Sequence, residues 1–389
     1  MPSWLRLIAF QSVFSFAASV AIRLTAGYQA LDFGADPALL GLVASSFAVP
    51  ALVIAVPAGR MSSRFGGAWV IATGLILQLV GAFGCWLSPV VVGFVIACAV
   101  CGAGHAMVLV GQQSVVAERA ARSRDGAFGT LTTGSSIGQL IAPPAIGMLA
   151  ALSGTGDAGV ESIGLGAAIT SAIIGLILIT LFICRVSAPP TDEPPTRSVV
   201  AAIRESSGET WRAIVVSGLV LASVDLLYAF IPYWASSREI DVTVVGWLLA
   251  VRAAVTVVSR IGLGRLVARF GRKTVLLIAI LLATAGFAVL PFGGLIGAFV
   301  AMVVLGVGLG VPQPLTTSWA LATVPHAHRN MILGLRLTTN RFAQGAIPVS
   351  IGALGGLAGP DGVLLLNASL LLVAAVAVVG SRVADSTAS

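Results

Sequence analysis

The sequence predicts an all-α, polytopic membrane protein with twelve spanning helices in two look-alike six-helix bundles. Three observations carry this. Of 389 residues, 57% are hydrophobic and only 10% charged, with a mean hydropathy of +1.02; a soluble domain is nearer about a quarter charged. The apolar residues gather into runs of about 20 between charged or Pro/Gly breaks, the length a helix needs to cross a bilayer. The chain also repeats itself at a fixed offset of 205 residues (59 to 264). Gly59-Arg60-Met61-Ser62-Ser63-Arg64-Phe65-Gly66 returns as Gly264-Arg265-Leu266-Val267-Ala268-Arg269-Phe270-Gly271, and Gly129 through Gly147 returns as Gly334 through Gly352. Thr133, Gln139, Pro143 and Gly147 meet Thr338, Gln344, Pro348 and Gly352 in that register.

Taken in order, the runs place spans at 5–30, 38–58, 68–87, 90–116, 126–151, 162–184, 211–235, 243–262, 273–291, 294–321, 331–357 and 362–381. Runs such as Leu276 to Leu290 do not alternate, so helices are expected and the strands of a membrane barrel are not. Residues 185–210, with Pro189-Pro190, Pro194-Pro195, Asp192 and Glu193, read as a solvated linker between bundles at 1–184 and 211–389. The first span carries Arg23 and no small-residue cleavage site, and reads as a retained signal anchor.

Charge sets the orientation. Arg60, Arg64, Arg119, Arg122, Arg124, Arg185, Arg265, Arg269, Arg272, Lys273 and Arg329 fall on one side of the spans. The opposite loops hold Arg238 alone, beside Asp36, Asp157, Glu161, Glu239, Asp241 and Asp361. The positive-inside rule then puts both termini in the cytoplasm of a cell with this chain in its cytoplasmic (inner) membrane. The formal charge of +7 is spread over separate short loops, so a nucleic-acid surface is excluded.

Other chemistries find little support. There is no G-x-x-x-x-G-K-[ST] loop, no serine-histidine-acid spacing and no paired carboxylate within one span. No enzymatic activity, cofactor or metal is expected, and the chain reads as a monomer. Cys98-x-x-Cys101 has the form of a redox or metal pair, but on a lipid-embedded helix with no second pair it reads as small buried residues.

The repeated segments carry a resemblance. Gly264-Arg265-Leu266-Val267-Ala268-Arg269-Phe270-Gly271-Arg272-Lys273 lies between spans eight and nine, and its twin between spans two and three. Pattern and placement resemble the major facilitator superfamily, whose loop reads roughly G-x-L-A-D-R-x-G-R-K. The resemblance covers essentially the whole chain. It departs at the family's acidic position, here Ser63 and Ala268, so the latching role of that acid is not carried over. In physical terms, Gly59 and Gly264 are expected to permit close packing or a tight turn. Arg64 and Arg269 are expected to neutralise helix C-terminal carbonyls or anionic headgroups, and Arg60, Gly66, Arg265, Gly271 and Arg272 are carried as further positions of the gating motif. In span five, Gly129-x8-Gly138-x3-Ala142-Pro143-x2-Ile146-Gly147 resembles the family's antiporter motif, departing at Ala142 and Ile146. Small residues on one face let helices approach closely. The twin in span eleven keeps Gly334, Pro348 and Gly352, so part of the pattern is architecture. The resemblance implies alternating access around a midplane site, and export over import.

Ionisable groups at membrane depth are expensive and mark pathways or pairs. They are Arg23, His105, Asp225, Arg252, Arg336 and Arg341, with Asp32 and Glu118 at span ends. Asp225, the one carboxylate well inside a span, is the first candidate for proton coupling, against a static ion pair with Arg252 or Arg23. His105 is the second candidate, against a packing histidine. Arg23, Arg252 and Arg341 against one acid suit an anionic or zwitterionic substrate. Arg336, near a helix end, reads as a snorkelling side chain. Tyr28, Tyr228, Gln139, Gln313, Asn340 and Gln344 are expected to complete the pocket, whereas Tyr233 and Trp234 read first as an interfacial aromatic belt. The expected function is export of a small organic molecule by proton antiport. The alternative is a proton-coupled importer or uniporter of an organic anion, and the remote one a non-transporting sensor or assembly protein on the same scaffold.

Overall fold

A computed structural model describes residues 3–119, 124–153, 159–186, 207–322, 329–355 and 358–381. Most of the expected linker, 187–206, lies outside these residues, as does Asp157. The described elements are all helices: α1 (Ser3–Asp32), α2 (Pro37–Phe65), α3 (Gly67–Leu87), α4 (Val91–Arg119), α5 (Arg124–Leu152), α6 (Val160–Val186), α7 (Gly208–Ser236), α8 (Val242–Arg260), α9 (Leu263–Phe270), α10 (Arg272–Val289), α11 (Gly294–Gly310), α12 (Pro312–Ala322), α13 (Arg329–Gly355) and α14 (Gly359–Val379). α11 and α12 run on through Val311, whose φ of −71° and ψ of −40° are helical, and together make one crossing, Gly294–Ala322. Eleven crossings among the described residues are long and apolar enough to span a membrane. The twelfth, α13, matches them in length at 27 residues but is the polar one.

Local chemistry punctuates both halves alike. The Asp36 side chain accepts from the Leu39 amide at 2.8 Å ahead of Pro37, and Asp241, 205 positions on, accepts from Thr243 at 2.7 Å. Each carboxylate thus satisfies an otherwise orphaned donor at a helix start. Gly66 and Gly271 end the repeated segments at φ 89° and 81°, a backbone that side chains resist. One expectation fails here. Gly59 and Gly264 make neither a turn nor a close contact, since a Cβ built at either meets nothing within 4 Å. The first segment is the unbroken end of α2, and in the second the turn falls at Gly262 (φ 77°), leaving Gly264 inside α9. Ordinary helical geometry accommodates both glycines, so the turning role passes to their neighbours.

The halves meet through a set of contacts that obeys the repeat. Gly41 of α2 lies against the Pro348 carbonyl of α13, and Gly246 of α8 against the Pro143 carbonyl of α5, where an added Cβ would sit 2.6 Å from the oxygen. Gly352 faces the Pro37 carbonyl, and Gly147 faces Val242 and Thr243. At the centre, Gly27 of α1 packs on Pro232 of α7, its own repeat partner. A residue touching its equivalent marks the axis relating two copies. Gly138, by contrast, seats α5 on Val13 of α1 within the first half; its counterpart contact is Gly218 of α7 against Ala343.

These inter-half contacts cluster at the distal end, near the turns at 33–36 and 237–241. Toward the proximal end the glycines of α2, α5, α9 and α13 make no such close contact. Among the described residues nothing lies within 4 Å of a Cβ built at Gly59, Gly129, Gly264 or Gly334, and Thr132, Thr133 and Thr338 are exposed. The close inter-half packing at glycines is thus concentrated at the distal end. Leu at Gly41 or Gly246 should therefore force the distal end apart. In a Cys184→Ser background, a cysteine at Val43 should then label with a bulky thiol reagent several-fold faster. An unchanged rate would show that these glycine contacts do not hold that end closed.

Candidate functional site

Beside the axis, α1, α2 and α7 leave a small cavity of about 20 Å³, room for about one water molecule. Arg23, Ala26, Gly27, Val43, Phe47, Asp225 and Tyr228 are among its walls. Small residues at 26 and 27 let α1 approach α7, which brings Arg23 onto Asp225.

The carboxylate of Asp225 is occupied on both oxygens. Arg23 Nη1 donates to Oδ1 at 2.5 Å, and Gln344 Nε2 donates to Oδ2 at 2.6 Å. Arg341 Nη1 in turn donates to Gln344 Oε1 at 3.0 Å, fixing which end of that amide faces the acid. A relay thus runs from α13 through α7 to α1, across the two halves. Asp225 is 8% exposed, and a buried charge needs such a shell of partners.

A second feature obeys the repeat with its members exchanged. The Arg23 guanidinium lies over Phe47 at 5.8 Å, and Arg252 lies over Tyr228 at 5.2 Å. Positions 23 and 228 are repeat partners, as are 47 and 252. Each half therefore stacks a cation from one of these helices on an aromatic ring from the other, but the cation comes from α1 in one case and α8 in the other. Arg252 Nη2 also donates to the Tyr228 hydroxyl at 2.8 Å. At 3% exposure, Arg252 is deeply buried, and no carboxylate among the described residues forms a salt bridge with it.

Of the expected site residues, Asp225, Arg23, Gln344, Arg341, Arg252 and Tyr228 converge here. The static pairing of Asp225 is with Arg23, not Arg252. The others do not join. His105 is buried in the first half, 3.5 Å from Gln78 Nε2 and edge-on to Phe16 at 5.2 Å. Tyr28 is buried outside the cavity walls, Gln139 is half-buried, and Asn340 is buried beside Gly218. Gln313 lies on α12 against Arg336. Two expectations are corrected. Trp234 is fully buried, with Arg238 over its ring at 5.0 Å, and so is core rather than interfacial belt. Arg336 does not snorkel: it folds back onto α12 because Gln313 and Thr316 offer acceptors there.

The motif residues do structural work. Pro143 and Gly147 form the distal contact between halves, Gly138 seats α5 on α1, and Gly129 has open space on its side-chain face while its carbonyl accepts from the Thr133 hydroxyl at 2.9 Å. Arg64 and Arg269 each lie over the next ring, Phe65 or Phe270. Arg60 and Arg265 are exposed. Lys273 Nζ donates to the Val379 and Ser381 carbonyls at 2.7 and 2.8 Å, closing the end of α14. The Ser63 hydroxyl, where the family has an acid, donates to the Arg60 carbonyl within its own helix. Cys85, Cys98, Cys101 and Cys184 are free thiols, and the first three are buried.

Sequence reasoning missed Phe47, although reading the 205-residue register at Arg252 would have pointed to it. It also missed Gln11, Ser15 and Gln112, a buried cluster in which Gln112 Nε2 donates to Gln11 Oε1 at 2.6 Å and to Ser15 Oγ at 3.1 Å. Isolated polar residues in apolar spans gave no signal that they meet.

Two repeat-related bundles, closed at one end around a buried ionic relay, define a polytopic transport protein. The family model described as Major Facilitator Superfamily matches residues 8–225 and 213–388, and the chain belongs to that superfamily. Among solved structures it is similar to the nucleoside transporter NupG, at 15% identity and a TM-score of 0.78, covering 97% of this chain and 98% of that one. A bacterial homolog of the human lysosomal transporter Spinster, in an inward-facing and occupied conformation, matches at 18% identity and 0.77, covering 98% and 96%. The peptide transporter POT in complex with sulfate matches at 14% and 0.76, covering 97% and 94%. No curated protein matches the sequence significantly.

The relay makes a stability prediction. Arg23→Ala or Asp225→Ala alone strands a buried charge and should destabilise by about 3–5 kcal/mol. The double variant should recover much of that loss. Thermal melts in detergent read the difference, and additive losses would show that the pair is not coupled.

Proposed function

We propose that this chain is a proton-coupled secondary transporter of a small organic anion or zwitterion, working by alternating access of units 1–184 and 211–389. The observation that carries the reading is Asp225, held at once by Arg23 from the first half and Gln344 from the second. An entering carboxylate or phosphate offers Arg23 a competing bidentate partner. Arg23 would then leave Asp225, the one carboxylate of the relay, so anion arrival and proton coupling pass through one side chain. Arg252 and Arg341 add positive charge beside it, which disfavours a purely cationic substrate.

A second reading, export by proton antiport, is supported by the span-five motif from Gly129 to Gly147. Its repeat twin makes the same distal contact, so architecture accounts for Pro143 and Gly147 without reference to direction. Proteoliposomes with an imposed proton gradient separate the two. Anion symport accumulates substrate on the side toward which protons flow, and antiport drives it toward the proton-rich side.

The Asp225→Asn variant should express and fold yet lose proton-driven flux, keeping only pH-independent exchange. Arg252→Ala and Arg341→Ala should each weaken an anionic substrate about tenfold, as loss of one charge-assisted contact implies, and leave a neutral analogue nearly unchanged. Persistence of coupled flux in Asp225→Asn would remove the coupling role. Equal weakening of both analogues would remove charge recognition.

A further inference from the structure

Arg336 is the buried charge that the central relay does not explain. It lies on α13 five residues proximal to Arg341, about 7.5 Å along the helix axis. It is 7% exposed. Its Nη2 faces the Gln313 carbonyl at 3.3 Å, Gln313 Oε1 at 3.2 Å and Thr316 Oγ1 at 3.5 Å. All three acceptors are neutral, and the distances run from the long end of the hydrogen-bond range to beyond it. Among the described residues no carboxylate forms a salt bridge with Arg336. Arg336 Nε and Gln313 Nε2 are both buried with no hydrogen-bond partner.

A guanidinium taken out of water without a counter-charge is strongly disfavoured, and snorkelling would have avoided that cost. The side chain instead turns inward, beside an amide whose oxygen already faces it and whose donor is unmet. Two unmet donors, one cationic, with a hydroxyl alongside are the complement of an oxyanion.

We propose that Arg336, Gln313 and Thr316 form a second anion site, separate from the Asp225 relay, that takes a carboxylate or phosphate group. Nε of Arg336 and the Gln313 amide donor address the oxyanion, while the Thr316 hydroxyl, which donates to the Pro312 carbonyl at 2.8 Å, holds Arg336 Nη2 in place as an acceptor. The site stands nearer the proximal end of α13 than Arg341 does, so it serves as a waiting position for an anion before the central cavity. It stands independently of proton coupling at Asp225.

The test uses the purified full-length chain, titrated separately with inorganic phosphate and with benzoate against chloride at matched ionic strength. Thermal stability is the readout, because a ligand of the folded state raises it. The wild type should respond saturably to at least one oxyanion, and the one that acts names the ligand's source. Arg336→Gln and Gln313→Leu should each weaken that response by about tenfold or more, while Arg265→Ala, an exposed arginine of α9 outside both sites, should retain it. If Arg336→Gln does not fold, Gln313→Leu and Thr316→Val carry the comparison. Wild-type titration curves in the variants that fold, an equal loss of the response in Arg265→Ala, or no saturable response to either anion would each overturn the site.

Discussion

A carboxylate in a water-poor bundle persists only if something nearby carries the opposite charge, and the bond between Arg23 and Asp225 meets that need from across the boundary between halves. Much else follows from it. The close approach of α1 to α7 at Gly27 and Pro232 brings the two side chains within reach. Gln344 and Arg341 complete the shell from α13. An interaction that belongs to neither half alone is sensitive to how the halves are arranged, and its strength grows as water is excluded. A solvent-filled cleft between the bundles would weaken it. The present closure of the distal end preserves it.

The duplicated backbone and the chemistry placed on it behave differently. Packing contacts recur in register: Gly41 with Pro348 and Gly246 with Pro143, Gly352 with Pro37 and Gly147 with Val242. Where helices approach at backbone distance, only small residues fit, and both copies meet the same steric demand. Charged and aromatic positions have instead exchanged roles. The cation of each stacked pair comes from α1 in one half and α8 in the other, and one half supplies the central acid. A two-fold scaffold can hold an asymmetric ligand only if its lining breaks the symmetry, and here the lining does so with the backbone unaltered.

α13 joins these themes. It presents Gly352 and Pro348 to α2, Gln344 to Asp225, and Arg336 to α12. Such demands leave too few apolar positions for it to register as a span by hydropathy, although it is as long as its neighbours. Polar groups on a spanning helix are tolerable where other helices cover them, and α13 is packed between α2 and α7. Its polarity belongs to a helix that lines the working interface.

Much of this was legible in the amino-acid order. Hydropathy gave the helical class, because lipid leaves backbone polar groups no alternative to helices or closed barrels. The offset repeat gave the duplication, and the scarcity of buried charge singled out Asp225 and its arginines. Sequence could not say which arginine meets the acid, because that depends on the rotation of α1 and α8 about their axes. For the same reason it misplaced Trp234 and Arg336, whose depth along a helix is readable but whose direction around it is not. It also assigned the turn to Gly59 and Gly264, though φ at Gly66, Gly262 and Gly271 carries it. The linear order fixed what each span could afford to bury; only the packed bundle decided which buried group faces which, since contacts between helices hundreds of residues apart are set by their mutual rotation and crossing.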